Sequence, residues 1–395
     1  METSPHLAQR MRRVTASAIM EILKTTAQGN YISFASGLPD PSLFPAERIA
    51  TLTQEVLASE SSTALQYGAA EGYTPLRAFV AERLRQRGIA FATPEHILIT
   101  NGSQQALDLS ARLRLDVGSP VALETPTYLA ALQTFDSYEA QYHPLSLDSE
   151  GLCVSEAKRI LREFPLRLLF TLPNFQNPSG ITQSLARRQE LAEALAEKQT
   201  PLLEDDAYYD LRYTGEALPP IAALAENREA IYTGTFSKVI APGLRVGYLC
   251  AEPALVQRLT QLKQITDLHT GSLTQRVVYR FCERGWLEEQ IALQRRVYSE
   301  RQQALLTALA THFTGKAEWT KPEGGMFVLV TLPSHIDTAK RLPHAMKRGI
   351  VYIPATTFYP TGEGKNVLRL NFVSSTKEAI EKGIATLSEV LFASQ

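Results

Sequence analysis

The segment GTFSKVIAPGLRVGY (234–248) crowds Thr235, Ser237, Lys238 and Arg245 around Pro242-Gly243, directly after an apolar run that reads as a strand. A lysine here is either a solvated loop residue or an amine held for covalent work on a carbonyl. NGSQQ (101–105) is a strand-to-helix turn. Gly102, Ser103 and Gln104 there either form a plain N-cap or present backbone N–H groups and a hydroxyl to an anion. EDDAYYD (204–210) closes another apolar run with two carboxylate–tyrosine pairs at equal spacing, Asp205 with Tyr208 and Asp206 with Tyr209. Successive strand side chains face opposite ways, so one pair faces a site and the other does not; an acidic turn or a carboxylate metal site are the other uses of such a run. QNPSG (176–180) is a turn by its Asn-Pro and Ser-Gly content, and it offers the Asn177 amide. Arg369 sits in the alternating segment NVLRLNF (366–372), which predicts a half-buried strand. A buried arginine either meets a structural acid or awaits a substrate carboxylate as a two-pronged donor.

These groups together suit pyridoxal 5′-phosphate. That cofactor needs a lysine for its aldehyde, donors for a dianionic phosphate, and a carboxylate for its ring nitrogen. Other chemistries lack their signatures. The seven histidines form neither HxH nor HExxH, which argues against a zinc hydrolase, and the site expected here holds no metal. No GxGxxG follows a strand, and no GxSxG elbow is present. TFSK has Ser–Lys spacing without the companion motifs of acyl-transfer enzymes, and GEGKN (362–366) lacks the first glycine of a phosphate loop.

The elements that must position these residues follow from periodicity. Short apolar runs at 96–100, 120–124, 166–172, 201–206, 230–236 and 245–250 alternate with amphipathic stretches such as SLARRQELAEALAEK. That alternation predicts an α/β fold with a mostly parallel central sheet, whose ligands sit at the carboxyl ends of the strands. Helices are expected over 16–30 and 293–312, and strands of a smaller α+β domain over 324–332 and 366–374. The expected division is a large cofactor-binding domain over 46–290, and an N-terminal arm with a discontinuous small domain over 1–45 and 291–395.

The chain has 395 residues, 40 Lys+Arg against 41 Asp+Glu, 44% hydrophobic residues and three Cys. A net charge of −1 argues against a protein that coats nucleic acid or an anionic membrane. No apolar run approaches the roughly 18 residues of a membrane helix. Three unclustered thiols (Cys153, Cys250, Cys282) fit the cytoplasm.

The motifs, in this order, resemble the fold-type I, pyridoxal-phosphate-dependent aminotransferases of class I/II, and within them the 2-aminoadipate/kynurenine group with its multi-substrate and aromatic relatives. The likeness runs through SFASGLPDPSLFP (33–45), LQYGAAEGYTPLR (65–77), ITNGSQQALDL (99–109), ETPTY (124–128), NFQNPSG (174–180), EDDAYYDL (204–211), FSKVIAPGLRVGY (236–248), DLHTGSLTQ (267–275), KPEGGMFV (321–328) and VLRLNF (367–372). The resemblance implies that Lys238 bonds the cofactor and shuttles a proton, and that Asp205 partners the ring nitrogen. It implies that Tyr208 and Asn177 bind the ring hydroxyl and that Tyr128 stacks on the ring. Gly102, Ser103, Gln104, Thr235, Ser237 and Arg245 would hold the phosphate, and Arg369, close to Gly37, the substrate carboxylate. Tyr67 would reach the phosphate of a neighbouring subunit, implying a homodimer with shared sites.

Two departures bear on specificity. Pro354-Ala355-Thr356-Thr357-Phe358 carries alanine where the family's turn has glycine. Met20 stands in the N-terminal helix near where relatives favouring long dicarboxylates can place an arginine, which leans the donor toward aromatic or aliphatic amino acids; Arg12 or Arg13 leaves 2-aminoadipate open. The implied reaction is ping-pong transfer of an amino group from an L-amino acid to a 2-oxo acid, 2-oxoglutarate by expectation. The alternative is an oxidase, lyase or cyclase reaction on the same scaffold. A transcription regulator built on this fold would need a DNA-binding domain ahead of the motif at residue 33, which the sequence does not offer.

Overall fold

The computed structural model describes residues 6–14, 22, 24 and 30–393. Ile22 and Lys24 are helical, while most of the helix expected over 16–30, Met20 included, lies outside the described residues. In chain order the strands are β1 (Ile32–Ser33), β2 (Ile97–Thr100), β3 (Pro120–Thr125), β4 (Gln141–Asp148), β5 (Gly151–Leu152), β6 (Leu168–Thr171), β7 (Leu202–Asp205), β8 (Ala230–Thr235) and β9 (Gly247–Ala251). They continue with β10 (Glu318–Trp319), β11 (Phe327–Thr331), β12 (Ile350–Val351), β13 (Ile353–Pro354) and β14 (Val367–Asn371).

The central sheet has eight strands in the order β2-β9-β8-β7-β6-β3-β4-β5. Pairings β4–β3, β3–β6, β6–β7 and β7–β8 are parallel, and β9 enters antiparallel to both β8 and β2. Strands β2, β6, β7, β8 and β9 are buried along their whole length. That explains why they read as continuous apolar runs rather than as alternating ones. The antiparallel entry of β9 lets one short turn, residues 236–246, hold two strand ends together, where a parallel return needs a longer crossover. The second sheet, β10-β11-β14-β13, is antiparallel, and β1 pairs in parallel with β12. The helix expected over 293–312 extends further toward the N-terminus, as Trp286–Phe313.

Every parallel strand delivers its carboxyl end to one edge of the sheet. Tyr128 follows β3, Asn177 follows β6, Asp205 ends β7, and Lys238 follows β8. The loop after β6 is fixed by Arg188, which is fully buried on the helix Leu185–Glu197. Its guanidinium donates to Gln183 O at 2.9 Å, Pro219 O at 2.9 Å, Pro173 O at 2.8 Å and Asn174 Oδ1 at 2.7 Å. Arg188 thus satisfies acceptors on both sides of the turn that carries Asn177. Arg188→Met strands those acceptors in the interior and is expected to lower unfolding stability by about 3 kcal/mol or more. A urea unfolding midpoint equal to wild type would contradict this account.

Candidate active site

The carboxyl edge of the sheet gathers the residues the motifs singled out. Asp205 is buried at the end of β7 and accepts from the Thr233 hydroxyl at 3.2 Å. Burial pushes its carboxyl up to about 7; the Thr233 hydrogen bond and the Lys238 charge pull the other way, and the Asp206 charge adds to the rise. The neighbouring carboxylate points to the opposite face, as strand alternation requires. Asp206 accepts from Asn174 Nδ2 and from the Tyr232 hydroxyl, each at 2.9 Å. Tyr232 in turn accepts from Arg87, which chelates Asp210 at 2.8 and 2.9 Å. Tyr209 lies under the Arg87 guanidinium, 4.1 Å from its ring centre. The Asp206/Tyr209 pair is therefore spent on the interior, and Asp205 with Tyr208 faces the cleft.

Arg369 decides between its two uses. It is 2% exposed, and its hydrogen-bond partners are neutral: Asn177 Oδ1 at 3.0 Å and Ala35 O at 2.9 Å. Its Nε has no partner. The guanidinium lies 4.2 Å from the Phe327 ring centre and 5.0 Å from that of Phe358. Burial holds its proton affinity down to about 10, with only the Tyr208 and Tyr128 hydroxyls opposing. A cation that two aromatic faces and two neutral oxygens hold in the interior is complementary to an incoming carboxylate. Gly37 leaves room beside it: a β-carbon there would stand 3.6 Å from Phe327 Cζ and 4.0 Å from Arg369 Nη2.

Lys238 reaches the same space. Its Nζ donates to Gly37 O at 3.2 Å. Burial lowers its proton affinity to about 8, Asp205 works against that, and Arg245 and Arg369 reinforce it. An amine so depressed is available as base or nucleophile near neutrality. Asn177 links the two halves, since its Nδ2 donates to the Tyr208 hydroxyl at 3.4 Å while its Oδ1 serves Arg369. Burial raises the Tyr208 hydroxyl far above its usual range and that of Tyr128 to about 12.

The opposite end of the cleft is an anion cup. Gly102 has φ of +73° and is the N-cap of the helix Ser103–Arg114. Its own N–H goes to Thr100 O at 2.8 Å, so the free donors of the turn belong to Ser103 and Gln104. The Gln104 side chain turns away to Thr134 Oγ1, at 2.9 Å. A β-carbon on Gly102 would lie 2.8 Å from Arg245 Cζ, and one on Gly247 only 2.6 Å from the Gly102 carbonyl carbon. Both glycines are thus what lets Arg245 and β9 press on the turn. Thr235 donates to Ser237 Oγ at 2.9 Å and accepts from the Ser237 N–H at 3.1 Å. Tyr67 is 76% exposed, its ring edge-on to His269. Arg13 donates to Ala140 O at 3.4 Å, which commits one of its nitrogens to the large sheet's side of the molecule.

Thr233, Phe327 and Phe358 belong to the site but were not singled out as site residues: Phe327 lies in KPEGGMFV and Phe358 ends the Pro354–Phe358 turn, while strand alternation in AIYTGT is the one signal for Thr233.

The family model for aminotransferase class I and II matches residues 29–387. The chain belongs to this family. It is 39% identical over 99% of its length to an aromatic-amino-acid aminotransferase of Thermococcus litoralis, covering 95% of that protein. A solved kynurenine aminotransferase of Pyrococcus horikoshii superposes with a TM-score of 0.93 at 40% identity, covering 98% of this chain and 96% of that one. An α-aminoadipate aminotransferase of Thermus thermophilus, complexed with N-(5′-phosphopyridoxyl)-L-leucine, superposes with a TM-score of 0.91 at 38% identity over 98% and 97% of the two chains. The α/β fold with a mostly parallel central sheet is that of the fold-type I enzymes.

In this aminotransferase Asp205 supplies a pH signature of its own. Its folded value of about 7 lies above the 3.8 of an exposed aspartate. Between those two values the folded ligand-free chain keeps a proton that the unfolded chain has released, so stability falls as pH rises through that window. Asp205→Asn has no such proton. Its melting temperature relative to wild type is expected to climb from about pH 4 to about pH 7 and then level. A stability difference independent of pH in thermal melts of the ligand-free proteins would contradict the assignment.

Proposed function

We propose that this cleft holds pyridoxal 5′-phosphate and passes an amino group from an L-amino acid, of aromatic, aliphatic or 2-aminoadipate type, to a 2-oxo acid. The enzyme is a pyridoxal-phosphate-dependent aminotransferase; the residue roles, the acceptor 2-oxoglutarate and a ping-pong order are our reading. One observation carries it: a buried, acid-free Arg369 beside a depressed amine, Lys238, and a buried carboxylate, Asp205. The residues fit the cofactor on their own chemistry, because Asp205 has only one hydroxyl as partner and the Gly102 turn is open to an anion under Arg245.

When bound, the cofactor supplies the electron sink that makes a substrate Cα–H bond acidic. Asp205 keeps a proton on the ring nitrogen, and its own carboxylate is stabilised by that positive charge. Tyr208 and Asn177 bind the ring hydroxyl, and Tyr128 covers the ring face. Ser103, Gln104, Thr235, Ser237 and Arg245 hold the phosphate beside Gly102. Arg369 grips the α-carboxylate of amino acid and 2-oxo acid alike, with Gly37 leaving the space. Lys238 would bond the cofactor's aldehyde carbon through Nζ, and its amine, once free, would hold and move the proton at the substrate Cα. The kynurenine, aromatic and aminoadipate specificities of the relatives support a broad donor range.

A homodimer is part of this reading, since the exposed Tyr67 ring is free to enter a second copy's phosphate cup. We place the large cofactor-holding domain at 46–290 and the arm with the small domain at 1–45 and 291–395. In support, β2 to β9 all fall in the first part, while β1 pairs with β12 in the second. Three free cysteines support the cytoplasm, and among the described residues no helix is long and apolar enough to cross a membrane.

Lys238→Ala is expected to retain phosphate-anchored cofactor yet lose turnover by a factor on the order of 10³ or more. The readout is glutamate formed from 2-oxoglutarate with a panel of amino donors, alongside bleaching of the bound chromophore. Near-normal transamination by that variant, or release of ammonia or hydrogen peroxide in place of glutamate by wild type, would overturn the reading.

A further inference from the structure

We propose that Lys263 and Asp267 form a positioning pair for the cofactor's phosphate, acting through Asn101 on the turn and on Arg245. The inference rests on the reading of residues 102–104 as the phosphate turn. Both residues lie on the helix Pro253–Asp267. The Lys263 side chain is 0% exposed, a place where an ammonium stays only if every proton is matched. It is matched: Nζ donates to Gln105 Oε1 at 2.8 Å and to both Asp267 oxygens at 2.9 Å.

The partners lead to the turn. Gln105 Oε1 also accepts the Asn101 N–H at 2.8 Å, and Gln105 Nε2 donates to Asp267 Oδ2 at 2.6 Å. Asn101 Nδ2 donates to the same Asp267 oxygen. Asn101 O in turn accepts Arg245 Nη2 at 2.9 Å, the guanidinium that lies over Gly102. Asn101 is thereby gripped at its backbone N–H and its side chain, and the one carbonyl left orients Arg245.

Helix stability gives no reason for this arrangement. An acid in the last turn of a helix opposes the macrodipole, and a lysine placed four residues before an acid is the less favourable order for an i,i+4 pair. Asp267 sits there because its oxygens meet Asn101 and Gln105 across 162 and more residues of sequence. The pair is built toward the turn.

The test compares pyridoxal 5′-phosphate with pyridoxal, which lacks the phosphate, as ligands of the stripped full-length enzyme, titrated by the absorbance of the bound ring. Lys263→Met is expected to weaken pyridoxal 5′-phosphate by about tenfold to a hundredfold while pyridoxal changes by less than about twofold. Turnover at saturating cofactor is expected to stay within about twofold. Asp267→Asn keeps the side-chain shape and removes the charge, and serves where Lys263→Met fails to fold; the same selective loss is expected. An equal loss for both ligands marks general destabilisation and overturns the proposal, as does an unchanged ratio between them. If wild type itself binds pyridoxal as tightly as its phosphate, the phosphate turn is misplaced and the pair's role falls with it.

Discussion

A guanidinium cannot be taken from water into a protein interior without a counter-charge unless something else repays the desolvation. Arg369 is so placed, with amide and carbonyl oxygens for partners and two aromatic faces for walls. The small sheet exists around it. Phe327 is at the end of β11 that pairs with the end of β14, and the register sets Leu329 and Ile353 on either side of Arg369. Asn177, held through the Arg188-braced loop, then links this cation to Tyr208 in the turn after β7. The cost of the unpaired charge supports the proposed role of Arg369: a substrate carboxylate would supply the partner that the fold withholds.

The same logic separates the two aspartates. Asp205 and Asp206 are adjacent, both buried and both raised, yet only Asp206 is given donors from Asn174 and Tyr232 and the field of Arg87. Asp205 receives a single hydroxyl. One carboxylate is satisfied by the protein and becomes structure, while the other keeps a single hydroxyl donor, which supports its proposed role toward a ring cation. Burial depresses the Lys238 amine to about 8, Asp205 draws it up, and Arg245 and Arg369 push it further down.

What the sequence made legible follows the range of each interaction. Strand runs, the helix N-terminus after NGS, and the rule that only one Asp–Tyr pair faces the cleft depend on neighbours within a few residues, and all of them are readable locally. Arg369 was readable as a residue with two possible uses, because the choice depends on Asn177, 192 positions away. Of its aromatic walls, Phe327 comes from the β11–β14 pairing and Phe358 from the turn after β13, and no local pattern specifies that the two meet at Arg369. Lys263 was invisible for a related reason. KxxxD on an amphipathic helix reads as a solvated pair, and the burial that changes its meaning comes from packing against Gln105 on another helix. The inverted order of the charges was the one signal available. Gly102 reads from the sequence as a donor to an anion, whereas its N–H is spent on Thr100 and it serves the turn by lacking a side chain.

Near-zero net charge takes on a definite sense in this setting. Nineteen ion pairs form among the described residues, the buried Arg87 with Asp210 among them. Against that background the cleft is electrostatically incomplete at three points, and the three are of different kinds: a carboxylate, an amine and a guanidinium. On the proposed reading a pyridinium nitrogen, an aldehyde and an α-carboxylate would complete them in turn, and the turn under Arg245 would take the remaining dianion. None of the three free cysteines enters this scheme; burial raises Cys250 to about 12 and Cys282 beyond its usual range, so neither is a nucleophile at neutral pH. Arg188 marks the contrast: its buried guanidinium is met by four oxygens of the fold, whereas Arg369 keeps an unpartnered Nε at the carboxyl edge of the sheet.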